Sequence, residues 1–136
     1  MKHYKTRLNG HIIESAFYGR WDIQIMNDFL SDVKMMLIPL QGQTLGSVTD
    51  LRKWEGSDEQ AFAKIKAELN RLVAAGSSRA AYVVDVNSLQ MDILNQSSPK
   101  LSGYIRKLFT NKHDAIQWLR EQGFVMPLDD QTFCKL

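Results

Sequence analysis

Ala80-Ala81-Tyr82-Val83-Val84-Asp85-Val86 is the stretch on which the fold turns. It is a short apolar run rich in β-branched side chains. A strand covered on both faces reads this way, because neither row of side chains meets water. Such a strand needs helices above and below it, and the flanking sequence supplies helical patterns. Upstream, Gly56-Ser57-Asp58-Glu59-Gln60 is a helix start, with Ser57 and Gln60 at capping-box spacing and acidic residues at the positive end of the dipole. The helix it opens runs to about Ala75. Phe62, Ile65, Leu69, Leu72 and Val73 form its buried stripe, and Gly76 ends it. Downstream, a shorter helix is expected within 88–98 and a last strand at 104–109. Asn111 then caps a final helix at 112–122, with Ala115, Ile116 and Leu119 inward and Gly123 as its stop.

Toward the N-terminus, residues 44–51 read as the third strand. Before it, Met26, Phe29, Leu30, Val33, Met36 and Leu37 recur at helical period, which predicts a helix over 22–38. Asp22 is its N-cap, and Pro39 disfavours helical geometry before itself. Residues 4–8 and 11–18 are two strands with Asn9-Gly10 between them, a hairpin signal because both residues tolerate positive φ. The order β-β-α-β-α-β-α-β-α predicts an α/β fold: a mixed sheet of about five strands with four helices and an N-terminal β-hairpin.

The chain has 136 residues, the size of one domain, expected over 1–123 with a C-terminal tail at 124–136. Apolar residues are 44% and charged residues 24%, the balance of a globular protein rather than a disordered one. The single cysteine, Cys134, rules out an internal disulfide. The basic start Met1-Lys2-His3-Tyr4-Lys5 is followed by no apolar segment of a signal peptide, and no run approaches the ~20 apolar residues of a membrane span. A cytoplasmic protein is expected. Seventeen basic residues against 15 acidic ones are too balanced to imply nucleic-acid binding. Lys2, Lys5 and Arg7, and Lys100, Arg106, Lys107 and Lys112, read as a solvated surface in preference to a phosphate-binding face.

Three places give the chain a family resemblance. Gly19-Arg20-Trp21 closes the second strand. Val48-Thr49-Asp50-Leu51-Arg52 ends the third with an acidic and a basic residue. The stretch Arg106-Lys107-Leu108-Phe109-Thr110-Asn111, continuing through Ala115 to Trp118-Leu119, is a strand ending in Phe, a capped turn, and Ala and Trp-Leu on a last helix. In these, over about residues 4–122, the chain resembles the SpoIIAA-like proteins, relatives of the STAS domains (sulfate transporter and anti-sigma-factor antagonist). The resemblance implies a βα superhelical fold and a regulatory or binding role. Strict antagonists of that family carry a phosphorylatable serine in an Asp-Ser-Ser-Gly-like turn after the third strand. Here the matching stretch is Leu51-Arg52-Lys53-Trp54-Glu55-Gly56-Ser57, which lacks that motif.

Catalytic patterns are missing. His3, His11 and His113 are scattered, with no metal-ligand spacing. There is no Gly-rich phosphate loop and no GxSxG elbow. Of the two carboxylate pairs, Asp58-Glu59 belongs to a helix start and Asp129-Asp130 to the tail. No enzyme and no cofactor are therefore expected. In open α/β sheets the crevice at the C-terminal ends of the strands collects ligands. That selects Asp50, Arg52, Trp54 and Ser57 after one strand and Asp85 and Asn87 after the next as ligand or partner loops, although Ser57 reads first as a helix cap. A second candidate is the apolar excess of the first helix, Met26, Phe29, Met35, Met36 and Ile38, as a homodimer interface or a pocket for an apolar small molecule. The sequence reading is thus a non-enzymatic module with a protein partner, or alternatively a small carrier of an apolar or lipid-like ligand.

Overall fold

The computed structural model describes residues 3–85 and 103–134. The elements are β1 (Tyr4–Asn9), β2 (Ile12–Trp21), α1 (Ile23–Leu37), a 3₁₀ turn (Ile38–Leu40), β3 (Leu45–Ser57), α2 (Glu59–Ala74), β4 (Ser77–Val83), β5 (Ile105–Phe109), α3 (Lys112–Glu121) and a one-turn α4 (Asp130–Cys134). One sheet runs in the order β1-β2-β3-β4-β5. The first pair is antiparallel and the rest are parallel, as the alternation of strands and helices required. Among the described residues three helices exceed one turn, against four expected. The helix expected within 88–98 lies outside those residues.

Alternating side chains divide the core in two. On one face Ile13, Phe17, Leu51, Trp54 and Val84 meet Met26, Phe29, Leu30 and Val33 of α1 and Ala61 of α2. On the other, Ile12, Val48, Ala81 and Val83 meet Ala115, Trp118 and Leu119 of α3 and Met126 beyond it. Ile12 through Phe17 are buried without interruption, so β2 is covered on both faces although β1 beside it is an edge. The cap of α1 is the one expected: the Asp22 carboxylate accepts from the Ile25 N–H at 2.9 Å. Asn111 caps α3 in the same way, accepting from the Asp114 N–H at 2.9 Å.

Four local expectations are corrected. The α2 stripe Phe62, Ile65, Leu69, Leu72 and Val73 faces the sheet but is only half-buried, and the buried residues of the helix are Ala61 and Glu68. The hairpin turn is Gly10-His11, not Asn9-Gly10, because Asn9 pairs with Ile12 as the last residue of β1. Its side chain is buried and clasps the backbone of Leu128, accepting from its N–H at 2.8 Å and donating to its carbonyl at 3.1 Å. The third strand does not end at Leu51. It runs on to Ser57, since β2 extends to Trp21 and pairs with it throughout, with register shifts at Ala16/Tyr18 and Gly19/Trp21 that absorb extra residues. Ser57 is consequently not the cap of α2. It stands opposite Trp21 in the sheet, and the Asp58 carboxylate accepts from the Ala61 N–H at 2.8 Å.

Candidate functional site

Sheet register brings the site together. Lys5 pairs with Ala16 and Ala16 with Asp50, so the three form one row across β1, β2 and β3. Ala16 is the small member of that row, and the sheet is therefore low between two charged neighbours. A depression of about 600 Å³ lies over it, lined by Lys5, Ala16, Phe17, Tyr18, Asp50, Arg52, Lys53, Lys112, Asp130 and Phe133. It sits toward the C-terminal ends of β2 and β3, on the α3 face, where open α/β sheets place ligands.

Its electrostatics are those of partly neutralised cations. Four basic side chains, Lys5, Arg52, Lys53 and Lys112, face the carboxylates of Asp50 and Asp130. Asp50 accepts a bidentate pair of bonds from Arg52, Nε at 3.0 Å and Nη2 at 2.7 Å, and a third from the Arg52 backbone N–H at 3.1 Å. Burial alone would raise the pKa of Asp50. The Arg52 hydrogen bonds and charge, with Lys112 beyond, outweigh it and hold the carboxyl below its ordinary value. Lys112 forms an ion pair with Asp130. The ring of Phe133 is buried among Lys112, Lys5 and Arg7, at 4.2, 4.9 and 5.0 Å from its centroid. Lys5 Nζ also donates to the Phe133 carbonyl at 3.1 Å.

Of the residues selected from sequence, only Asp50 and Arg52 meet here. Trp54 turns to the opposite face of the sheet, with its ring 6.1 Å from that of Phe17 in an aromatic cluster. Ser57 is half-buried at the end of β3. Asp85 is exposed past β4 and does not line the depression, and Asn87 lies outside the described residues. The apolar set on α1 is divided as well. Met26 and Phe29 are buried in the core, Met36 packs at its margin, and Met35 and Ile38 are 67% and 58% exposed. Sequence reasoning missed Lys5, Lys53, Lys112, Asp130 and Phe133 as one site. The available signal was a basic N-terminal strand and a basic helix start matched by an acidic pair in the C-terminal segment.

A second cavity, about 110 Å³, lies between the sheet and α1 and α2, lined mainly by apolar residues including Phe17, Phe29, Trp54, Phe62 and Leu69. Among the described residues no group of His, Cys, Asp and Glu is placed to hold a metal ion, and no helix is long and apolar enough to cross a membrane.

A mixed five-stranded sheet in sequential order, opened by a hairpin and covered by α1 and α2 on one face and α3 on the other, is a SpoIIAA-like, STAS-type α/β fold. Solved structures place it there. A protein of the DUF3478 family from Shewanella loihica PV-4, with a SpoIIAA-like fold, is 16% identical and superposes with a TM-score of 0.66 over 85% of this chain and 91% of that one. The anti-sigma factor antagonist SpoIIAA in its unphosphorylated form is 11% identical, with a TM-score of 0.59 over 89% of this chain and 99% of its own. The Bacillus cell fate determinant SpoIIAA in its phosphorylated form gives 12% identity and a TM-score of 0.57 over 86% and 99%. No protein-family model and no curated protein sequence matches the chain.

Proposed function

We propose that this chain is a non-enzymatic, cytoplasmic binding module of the SpoIIAA type, and that it meets a protein partner at the charged depression over Ala16. The observation that carries the reading is the gathering of Lys5, Arg52, Lys53 and Lys112 around a concavity with no nucleophile–base pair in its lining. Charged groups of this kind select and orient a partner more than they supply raw affinity. The phosphorylated and unphosphorylated SpoIIAA structures belong to a protein named as an anti-sigma factor antagonist. A phosphorylation site at Ser57 does not fit its surroundings. Ser57 lies within a strand, and Asp58 beside it would repel a phosphate.

The carrier reading rests on the apolar cavity. At about 110 Å³ it falls short of the ~300–1,000 Å³ of small-molecule pockets. It has room for a fragment of a few carbons, not for a lipid chain.

Affinity capture with the wild-type chain and with the exposed-site variant Lys53→Glu tests the choice. A partner held by the wild type and lost on Lys53→Glu supports the module. A partner held equally by both places the contact elsewhere. Native mass spectrometry of freshly purified chain tests the alternative, since an adduct of a few hundred daltons would establish a carrier.

A further inference from the structure

One wall of the depression is a segment of the chain itself, which engages two of the four cations, Lys5 and Lys112, and leaves the space beside Arg52 and Lys53 open. Beyond α3 the chain returns across the β1–β2 hairpin, and its last described turn lies in the site. Asp130 pairs with Lys112, the Phe133 carbonyl accepts from Lys5, and the Phe133 ring fills the space between cations. Upstream, Arg7 Nη2 donates to the Asp129 carbonyl at 2.6 Å. The resident segment is thus an acidic turn followed by an aromatic residue, and what receives it is the basic side of the depression, Lys5, Arg7 and Lys112 around the Phe133 ring. Lys5, Arg7 and Lys112, with the clasp of Asn9, tie residues 128–133 to the rest of the chain.

Resting on the module reading above, we propose that the partner is a protein bearing the same chemistry: an acidic segment with an aromatic residue three positions after a carboxylate. The chain's own Asp129–Phe133 turn competes with it for the depression. Such a tether gives a resident segment an effective concentration of the order of millimolar. A segment whose free-peptide dissociation constant is tens of micromolar would then hold its own site shut roughly 90–99% of the time, and weaken an incoming peptide about 10- to 100-fold.

The test uses the full chain and a fluorescein-labelled peptide of Pro127–Cys134 with Cys134→Ser, followed by fluorescence anisotropy. The wild type should bind it at least tenfold more weakly than Phe133→Ala, which empties the ring space. Asp130→Lys is the second variant, because it loosens the segment by repelling Lys112 while leaving Phe133 in place for folding. Far-UV circular dichroism confirms the fold of each. Adding Lys112→Glu to either variant should remove the gain, and a peptide carrying Phe133→Ala should bind at least tenfold more weakly. Equal affinity across wild type and both variants overturns the proposal, as does the absence of binding at millimolar peptide. Displacement by tens of millimolar phosphate beyond matched sodium chloride also overturns it, and makes the site one for a small anion. If a captured partner is lost on Lys53→Glu while the peptide never binds, this inference fails and the module reading stands. If the peptide binds as described while no partner depends on Lys53, the reverse holds.

Discussion

Glu14 and Arg7 form a buried ion pair whose removal has a calculable cost. The Glu14 side chain is 1% exposed and that of Arg7 11%. Arg7 Nε donates to the Glu14 carboxylate, and Asn9 Nδ2 adds a long bond at 3.4 Å. Removing one member of a buried pair leaves the other charge without its counter-ion, which costs about 3–5 kcal/mol. The two single variants should differ. After Glu14→Gln the guanidinium keeps its bond to the Asp129 carbonyl and its place over Phe133, so the loss falls near 3 kcal/mol. After Arg7→Met the carboxylate keeps only the weak Asn9 bond and Phe133 loses a cation, so the loss nears 5 kcal/mol. The double variant Arg7→Met/Glu14→Leu buries no charge. It should recover at least about 2 kcal/mol relative to the sum of the singles, because apolar replacements of buried pairs are often neutral. Urea unfolding followed by far-UV circular dichroism measures all four proteins. A loss below about 1 kcal/mol for Glu14→Gln, or strict additivity in the double variant, would refute the reasoning, since either requires a pair already solvated.

The corrected helix start predicts that Asp58→Ala lowers stability by about 1 kcal/mol while Ser57→Ala stays within about 0.5 kcal/mol; thermal melts showing the reverse order would return the cap to Ser57. Because the carboxyl of Asp50 is held below its ordinary value, its stabilising contribution is present above about pH 4 and lost as pH falls below that. The stability difference between wild type and Arg52→Met should accordingly shrink on acidification, as urea midpoints between pH 7 and pH 3 would record. A Cβ on Gly46 would lie 2.5 Å from Ile12 Cδ1 and 3.1 Å from the Phe124 ring, so Gly46→Ala should cost about 1–3 kcal/mol, with Phe124→Leu restoring part of it in the double variant. Met35→Glu should leave the melting temperature nearly unchanged, Met35 being exposed; if Met35 and Ile38 join two copies, light scattering will show the dimer of the wild type falling to monomer, and a monomeric wild type removes that interface.

Where the sequence was legible, one physical rule governed each segment. The stripe of α1, its Asp22 cap and the Asn111 cap of α3 are local; both caps stand as read, and so does the stripe through Val33, with Met36 and Leu37 half-buried at its end. The apolar run at 80–86 announced a strand covered on both faces; β4 begins earlier, at Ser77, and ends at Val83, and it lies between β3 and β5 with Ala80, Ala81 and Val83 buried. Errors arose where a distant partner overrode a local signal. Asn9 has the preference of a turn residue, yet it pairs with Ile12 in the ladder while its buried side chain holds the backbone of Leu128, and the turn falls one residue later. Ser57 has capping-box spacing, yet β2 reaches far enough to keep it in the sheet, and the next acidic residue takes the cap.

The charged depression was illegible for a stronger reason. Its cations come from β1, from β3 and from the start of α3, and its counter-charge from a turn near the C-terminus. No window of sequence contains more than a fragment of it. What unites the fragments is the register Lys5–Ala16–Asp50, which no periodicity encodes, and the return of the chain over the hairpin. Both charged runs had an ordinary explanation while they were considered apart, since solvated lysines and an acidic tail are common on any surface. Their meaning lies in the pairing. A basic N-terminal strand together with an acidic C-terminal segment predicts that the two ends of a chain of this size can meet. The buried Phe133 ring then gives that meeting an apolar anchor worth about 1.5–3 kcal/mol.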